Sequence, residues 1–139
     1  MIEIKFRGKQ PHSNKWLIGY YTKHGDISYI LTKSHPIPEC ANEVLPETVG
    51  QFIVLKDKNG IEIFEGDIVK HLTTAIYTNG VPIDDSIGIV KFQYRGFKYQ
   101  KIEDINKYDF EFGDELIASQ DYEVIGNIHD NPELLEKSL

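Results

Sequence analysis

The chain opens on strict alternation, with Ile2, Ile4 and Phe6 to one side of an extended backbone and Glu3, Lys5 and Arg7 to the other. That is the period of a half-buried strand. Two apolar runs follow, Lys15 to Thr22 and Ile27 to Thr32, flanking Lys23-His24-Gly25-Asp26. They predict a hairpin in which Gly25 supplies the positive φ of the reversal. Gly19, in mid-strand, marks a bulge or a close approach by a neighbouring backbone or ring. From Ser34 to Pro46 the pattern lapses. Pro36, Pro38 and Pro46 each remove a ladder donor, and the stretch reads as a loop crossing between two lobes.

In the middle, Phe52-Ile53-Val54-Leu55 precedes Lys56-Asp57-Lys58-Asn59-Gly60-Ile61-Glu62-Ile63-Phe64. Asp57 and Gly60 occupy the first and fourth places of a type I turn that also contains Asn59. With Gly60 as a left-handed bulge, Asp57 faces Ile61, Lys56 faces Glu62 and Leu55 faces Ile63. A two-residue Asn59-Gly60 turn would instead set Asp57 against Glu62 and Lys56 against Ile63, pairs that a ladder disfavours. Glu65-Gly66-Asp67 then reverses the chain into Ile68-Val69-Lys70. The Asp67 carboxylate is placed to accept nearby backbone N–H groups, with Gly66 at the bend. Ile87 to Tyr94 and the residues after Gly96 form a second hairpin. A two-residue Arg95-Gly96 loop pairs Phe92 with Tyr99 and Lys91 with Gln100. Tyr122 to Ile128 is a last strand, and Asn131 before Pro132 predicts an N-cap for a helix from Pro132 to Lys137.

Composition agrees with the pattern. Ile, Val, Thr, Phe, Tyr and Trp number 48, against 13 for Ala, Leu and Met, a balance that favours strands over helices. A length of 139 residues fits one domain or two small lobes. The expectation is an all-β protein with a short C-terminal helix, in a lobe of residues 1–46 and a second of residues 47–139 that resembles an SH3-like barrel. Ile4, Phe6, Trp16, Ile53, Leu55, Ile63, Ile68, Val90, Phe92 and Ile125 are the expected core.

The formal net charge of −7 disfavours indiscriminate binding to nucleic acid or anionic membrane, but the charge is uneven. Residues 1–38 carry six Lys and Arg against two acids, net +4. Residues 39–139 carry nine against twenty, net −11. A basic lobe beside an acidic one makes contact with an acidic protein, including another copy of the chain, physically reasonable. No apolar run is long enough for a membrane span and no secretory pattern opens the chain, so a cytoplasmic location is expected. Cys40 is the single cysteine, which excludes an internal disulfide and a Cys-based zinc cage.

Candidate chemistry is sparse. Glu62, Glu65 and Asp67 lie near one turn, where a scaffolding role outweighs acid–base work, since no cleft is apparent. His12, His24, His35, His71 and His129 lack the local spacing of metal ligands, and no phosphate loop or nucleophile elbow is present. No cofactor, metal or catalytic residue is therefore expected. Lys91, Arg95, Lys98 and Lys101 contribute +4 without an acid, interleaved with Phe92, Tyr94, Phe97 and Tyr99. Rings that stack bases beside cations that meet phosphates would make a nucleic-acid surface. Alternation, however, puts the rings on the side away from Lys91 and Lys98, as a core face opposite a solvated one.

Six blocks in order strongly resemble the YopX family of phage and prophage proteins. They are Ile2 to Lys9, Trp16 with Gly19-Tyr20, Pro46 to Phe52, Leu55 to Gly60, Ile63 to Val69, and Val124 to Ile128 followed by Asn131-Pro132-Glu133. The resemblance implies a small, mainly β protein carried by phages or mobile elements, with no established activity and no catalytic residues to carry over. The expected function is a non-enzymatic interaction module that binds a protein or itself; the alternative is sequence-tolerant nucleic-acid binding by the hairpin of residues 91–101.

Overall fold

The computed structural model describes residues 4–71, 86–93, 96–101, 110–111 and 122–136. Among the described residues, eleven strands precede one short helix: β1 Phe6–Lys9, β2 Trp16–His24, β3 Ile27–Leu31, β4 Glu43–Val44, β5 Gly50–Lys56, β6 Glu62–Phe64, β7 Asp67–His71, β8 Ser86–Gln93, β9 Gly96–Lys101, β10 Phe110–Glu111, β11 Tyr122–Asn127 and α1 Glu133–Glu136. One sheet has the order β4-β3-β2-β1-β5-β6 and the other β10-β9-β8-β7-β11. The protein is mainly β with one short C-terminal helix. It divides into two compact units, residues 1–54 and 55–139, so the boundary falls within β5 rather than near residue 46.

In the first unit, β2 and β3 pair from Tyr20–Leu31 to His24–Ile27 across a two-residue Gly25-Asp26 loop. Gly25 has φ +62, where a type II′ turn needs it. Gly19 lies where a neighbouring backbone comes close: a Cβ there would stand 2.1 Å from the Leu31 carbonyl oxygen. The proline-rich stretch does not cross between lobes. It stays in the first unit and returns to the sheet as β4, which pairs Val44 with Ser28. Asn42 is the reason. Fully buried, it accepts from the Glu39 N–H at 2.9 Å and donates to the carbonyls of His35 and Ile37 at 3.0 and 2.9 Å. These bonds satisfy loop backbone that the prolines leave outside a ladder. Thr48 does similar work, donating to the Leu45 carbonyl and accepting the Lys9 N–H. The Leu45 N–H donates in turn to the Lys9 carbonyl, so the chain after β4 folds back onto the end of β1. Ile30, Val44, Phe52 and Ile53 form the core of this unit.

In the second unit, Ile63, Phe64, Ile68, Val69, Ile89, Val90 and Tyr122 are buried. Strands β7, β8, β9 and β10 pair in succession, and β11 returns to pair antiparallel with β7, with a bulge between Val124 and Gly126. The hairpin of β8 and β9 sets Lys91 opposite Lys98 and Phe92 opposite Phe97. This corrects the expected Lys91–Gln100 pairing by two residues. The shift of two preserves the alternation and brings Gly96 into the ladder opposite Gln93; residues 94–95 lie outside the described residues.

Four further expectations change. Ile4 is exposed, because β1 begins only at Phe6. Phe6, Trp16, Leu55 and Ile125 are half-buried, whereas Ile53, Ile63, Ile68 and Val90 are buried as expected; the Phe92 side chain lies outside the described residues. The helix begins at Glu133, one residue later than expected, and is described to Glu136; Lys137 lies outside the described residues. Asn131 does not turn its side chain to that helix: its Oδ1 accepts the Asn127 N–H at 3.2 Å, and its backbone carbonyl accepts from Leu134.

Candidate functional site

The carboxylates near the turns are committed to the backbone. Asp57 is 4% exposed and its Oδ1 accepts the N–H groups of Asn59 and Ile61, at 2.8 and 2.9 Å. Its Oδ2 accepts the Val124 N–H at 2.9 Å, 67 residues along the chain. The Asp57 N–H donates to the Ile61 carbonyl, the Gly60 N–H donates to the Asp57 carbonyl, and Gly60 has φ +81. Those bonds define a type I turn with a glycine bulge, and Asn59 contributes its N–H to it. Asp67, 1% exposed, accepts the Phe64 N–H at 2.7 Å through Oδ2. Beside it Gly66, at φ +94, donates to the Val90 carbonyl and accepts from Ile128. An oxygen already holding backbone N–H groups is poorly placed to take up a substrate proton. Among the described residues, no three His, Cys, Asp or Glu side chains converge as metal ligands would. Cys40 is exposed, in the 3₁₀ turn before β4.

The cationic hairpin is only partly described. Lys91 is half-buried and faces Lys98 across the ladder, Lys98 faces Glu111 of β10, and Lys101 faces Gly88. The side chains of Lys98 and Lys101, and all of Arg95, lie outside the described residues.

A different surface gathers large exposed apolar groups. Ile4, Ile18 and Tyr20 are 66%, 47% and 69% exposed. With Lys5, Gly19, Leu31, Thr32, Lys33 and Pro36 they line a shallow groove of about 580 Å³ in the first unit. The register explains it. Tyr20 pairs with Leu31, Ile18 with Arg7 and Trp16 with Lys9, so these side chains share the face of the sheet opposite the buried Ser28 and Ile30. The same face carries stacked cations: the Arg7 guanidinium lies 4.8 Å from the Trp16 ring centre and the Lys5 ammonium 4.9 Å from that of Phe52. Gly19 shapes the groove by letting the Leu31 carbonyl approach where a side chain would otherwise stand.

Sequence reasoning assigned Trp16 and Ile4 to the core and passed over this face. The signal was present in β2, where Trp16, Ile18 and Tyr20 alternate with Leu17, Gly19 and Tyr21. A strand apolar on both faces in a small sheet has one apolar face more than its own core needs.

A family model described as YopX protein matches residues 5–136. Among solved structures, the crystal structure of protein EF1440 from Enterococcus faecalis is similar, with a TM-score of 0.54 and 25% identity over 97% of this chain and 99% of that one. No curated protein matches the sequence.

Proposed function

This chain belongs to the YopX family, and from that premise we propose that it is a non-enzymatic module that binds a protein through the groove of its first unit. The observation that carries the reading is the gathering of Ile4, just before β1, with Ile18 and Tyr20 of β2, each about half exposed or more, in a groove that Lys5 and Lys33 also line. Scattered exposed apolar side chains are ordinary, but several large ones sharing one concave surface are the mark of an interaction site. Tyrosine on such a surface provides large contact area at low entropic cost. The cationic flank favours a partner segment that carries acids beside an apolar anchor. The buried carboxylates support the non-enzymatic part of the reading, because their oxygens are engaged by backbone donors.

We read the second unit, with its β7 to β10 succession and returning β11, as an SH3-like barrel. A phage or mobile-element origin and a cytoplasmic setting complete the proposal. The test is comparative capture from bacterial lysate by the wild-type chain and by Tyr20→Asp, whose exposed site spares the core. A protein retained by the former and lost by the latter supports the reading; equal retention, or none by either, overturns it.

Nucleic-acid binding by residues 91–101 is the second reading. Its motivation is the +4 charge of Lys91, Arg95, Lys98 and Lys101. It requires oligonucleotide binding at low salt that weakens as salt rises and falls on Lys98→Glu.

A further inference from the structure

Resting on that reading, we propose that the groove takes an extended peptide strand in which an apolar side chain stands between two acids, each two residues away from it. Strand β2 supplies the floor of the groove, from Ile18 to Tyr20, and β1 and β3 are its neighbours on either side. One wall is Ile4 and Lys5, ahead of the β1–β2 ladder that opens with Phe6 opposite Gly19. The other is Leu31, at the end of β3, and Lys33 just beyond it. Each wall therefore holds one lysine with apolar groups between them, and among the described residues no acid lines the groove. The Lys5 ammonium lies 4.9 Å over the Phe52 ring, a contact that positions it without cancelling its charge. Lys33 is exposed. Neighbouring strands lie about 4.8 Å apart, which separates β1 from β3 by about 10 Å, and an extended chain turns residues i, i+2 and i+4 to one side over about 13 Å. The flexible stems of the two lysines take up the difference. A strand lying across β2 with an acid, an apolar residue and an acid at those three places thus meets one lysine, the floor and the other lysine together. The apolar group gives the contact hold, and the acids give it orientation. Single-stranded nucleic acid would also meet the lysines, but it needs open ring faces on which to stack its bases. Among the described residues lining the groove Tyr20 is the single ring, set among aliphatic groups. Nearby, Trp16 has a face under the Arg7 guanidinium, and Phe52 is 4% exposed beneath Lys5.

The full-length chain, isotopically labelled, is titrated by NMR with the blocked peptide Gly-Ser-Glu-Ser-Leu-Ser-Glu-Ser-Gly in low and high salt. Controls replace both glutamates by serine, or the leucine by alanine. The expected result is a set of amide shifts at residues 18–20 and 31–33 at millimolar peptide, weaker as salt rises and lost with either control peptide. Lys33→Glu should raise the dissociation constant about fivefold while leaving the thermal unfolding midpoint unchanged, since the side chain is exposed. No shifts at millimolar peptide overturn the proposal, as does equal binding of the peptide without acids. An oligothymidylate that moves the same amides at lower concentration than the peptide overturns it in favour of nucleic acid. Capture of a protein from lysate that Tyr20→Asp abolishes and Lys33→Glu leaves intact would preserve the functional reading and remove only this inference.

Discussion

Asp57 draws together distant parts of the chain. It is buried, and three backbone N–H groups point at its two oxygens. Charge-assisted bonds of this kind are stronger than neutral ones, and their donors would be left unsatisfied if the carboxylate were removed. Asp57→Ala should therefore lower unfolding free energy by about 3 kcal/mol, measured by urea denaturation. A loss below about 1 kcal/mol would mean that water replaces the carboxylate without penalty. Two backbone positions are predicted to behave oppositely. Gly60, at φ +81, has open space around a would-be Cβ, so Gly60→Ala costs only the left-handed conformation, about 1–2 kcal/mol. Val54, a β-branched residue at φ +68 and largely exposed, already bears that cost. Val54→Asn should stabilise by about 0.5–1 kcal/mol, because asparagine tolerates this region better. A lower unfolding midpoint for Val54→Asn would contradict the backbone account.

Among the elements, the β2–β3 hairpin is the one on which the groove depends. A methyl group at residue 19 would collide with the Leu31 carbonyl, which belongs to the backbone and cannot rotate aside. Gly19→Ala should cost about 3 kcal/mol and raise amide exchange along β3, with hydrogen exchange as the measurement. Both turns of this kind were legible in the sequence, because Gly25 and the Asp57–Gly60 segment announce their geometry within four residues. So was the reversal at Asp67. What the sequence did not disclose depends on distant partners. The stretch from Ser34 to Pro46 reads as a crossover until Asn42 is seen tying it beside β3. The β8–β9 register keeps its faces under a shift of two, so alternation alone does not choose between the alternatives. The outward apolar face of β2 was visible as a pattern, but only the pairing with β1 and β3 tells which side the core occupies.

For the molecule as a whole, the distribution of charge matters more than its sum. The −7 total argues against broad affinity for polyanions, while the +4 of the first 38 residues and the −11 of the rest give it two differently charged regions. The hydrogen bond from Val124 to Asp57 links residues 67 positions apart, and β11 is the partner that completes β7. Loop-closure entropy makes such distant pairings late events in folding. On the ribosome, the turn at Asp57 is synthesised long before its third donor exists. A chain halted ahead of Tyr122 would therefore leave one Asp57 oxygen to water in place of the Val124 N–H, and β7 with a bare flank. β11 thus acts as a late clasp on a turn laid down early in the chain.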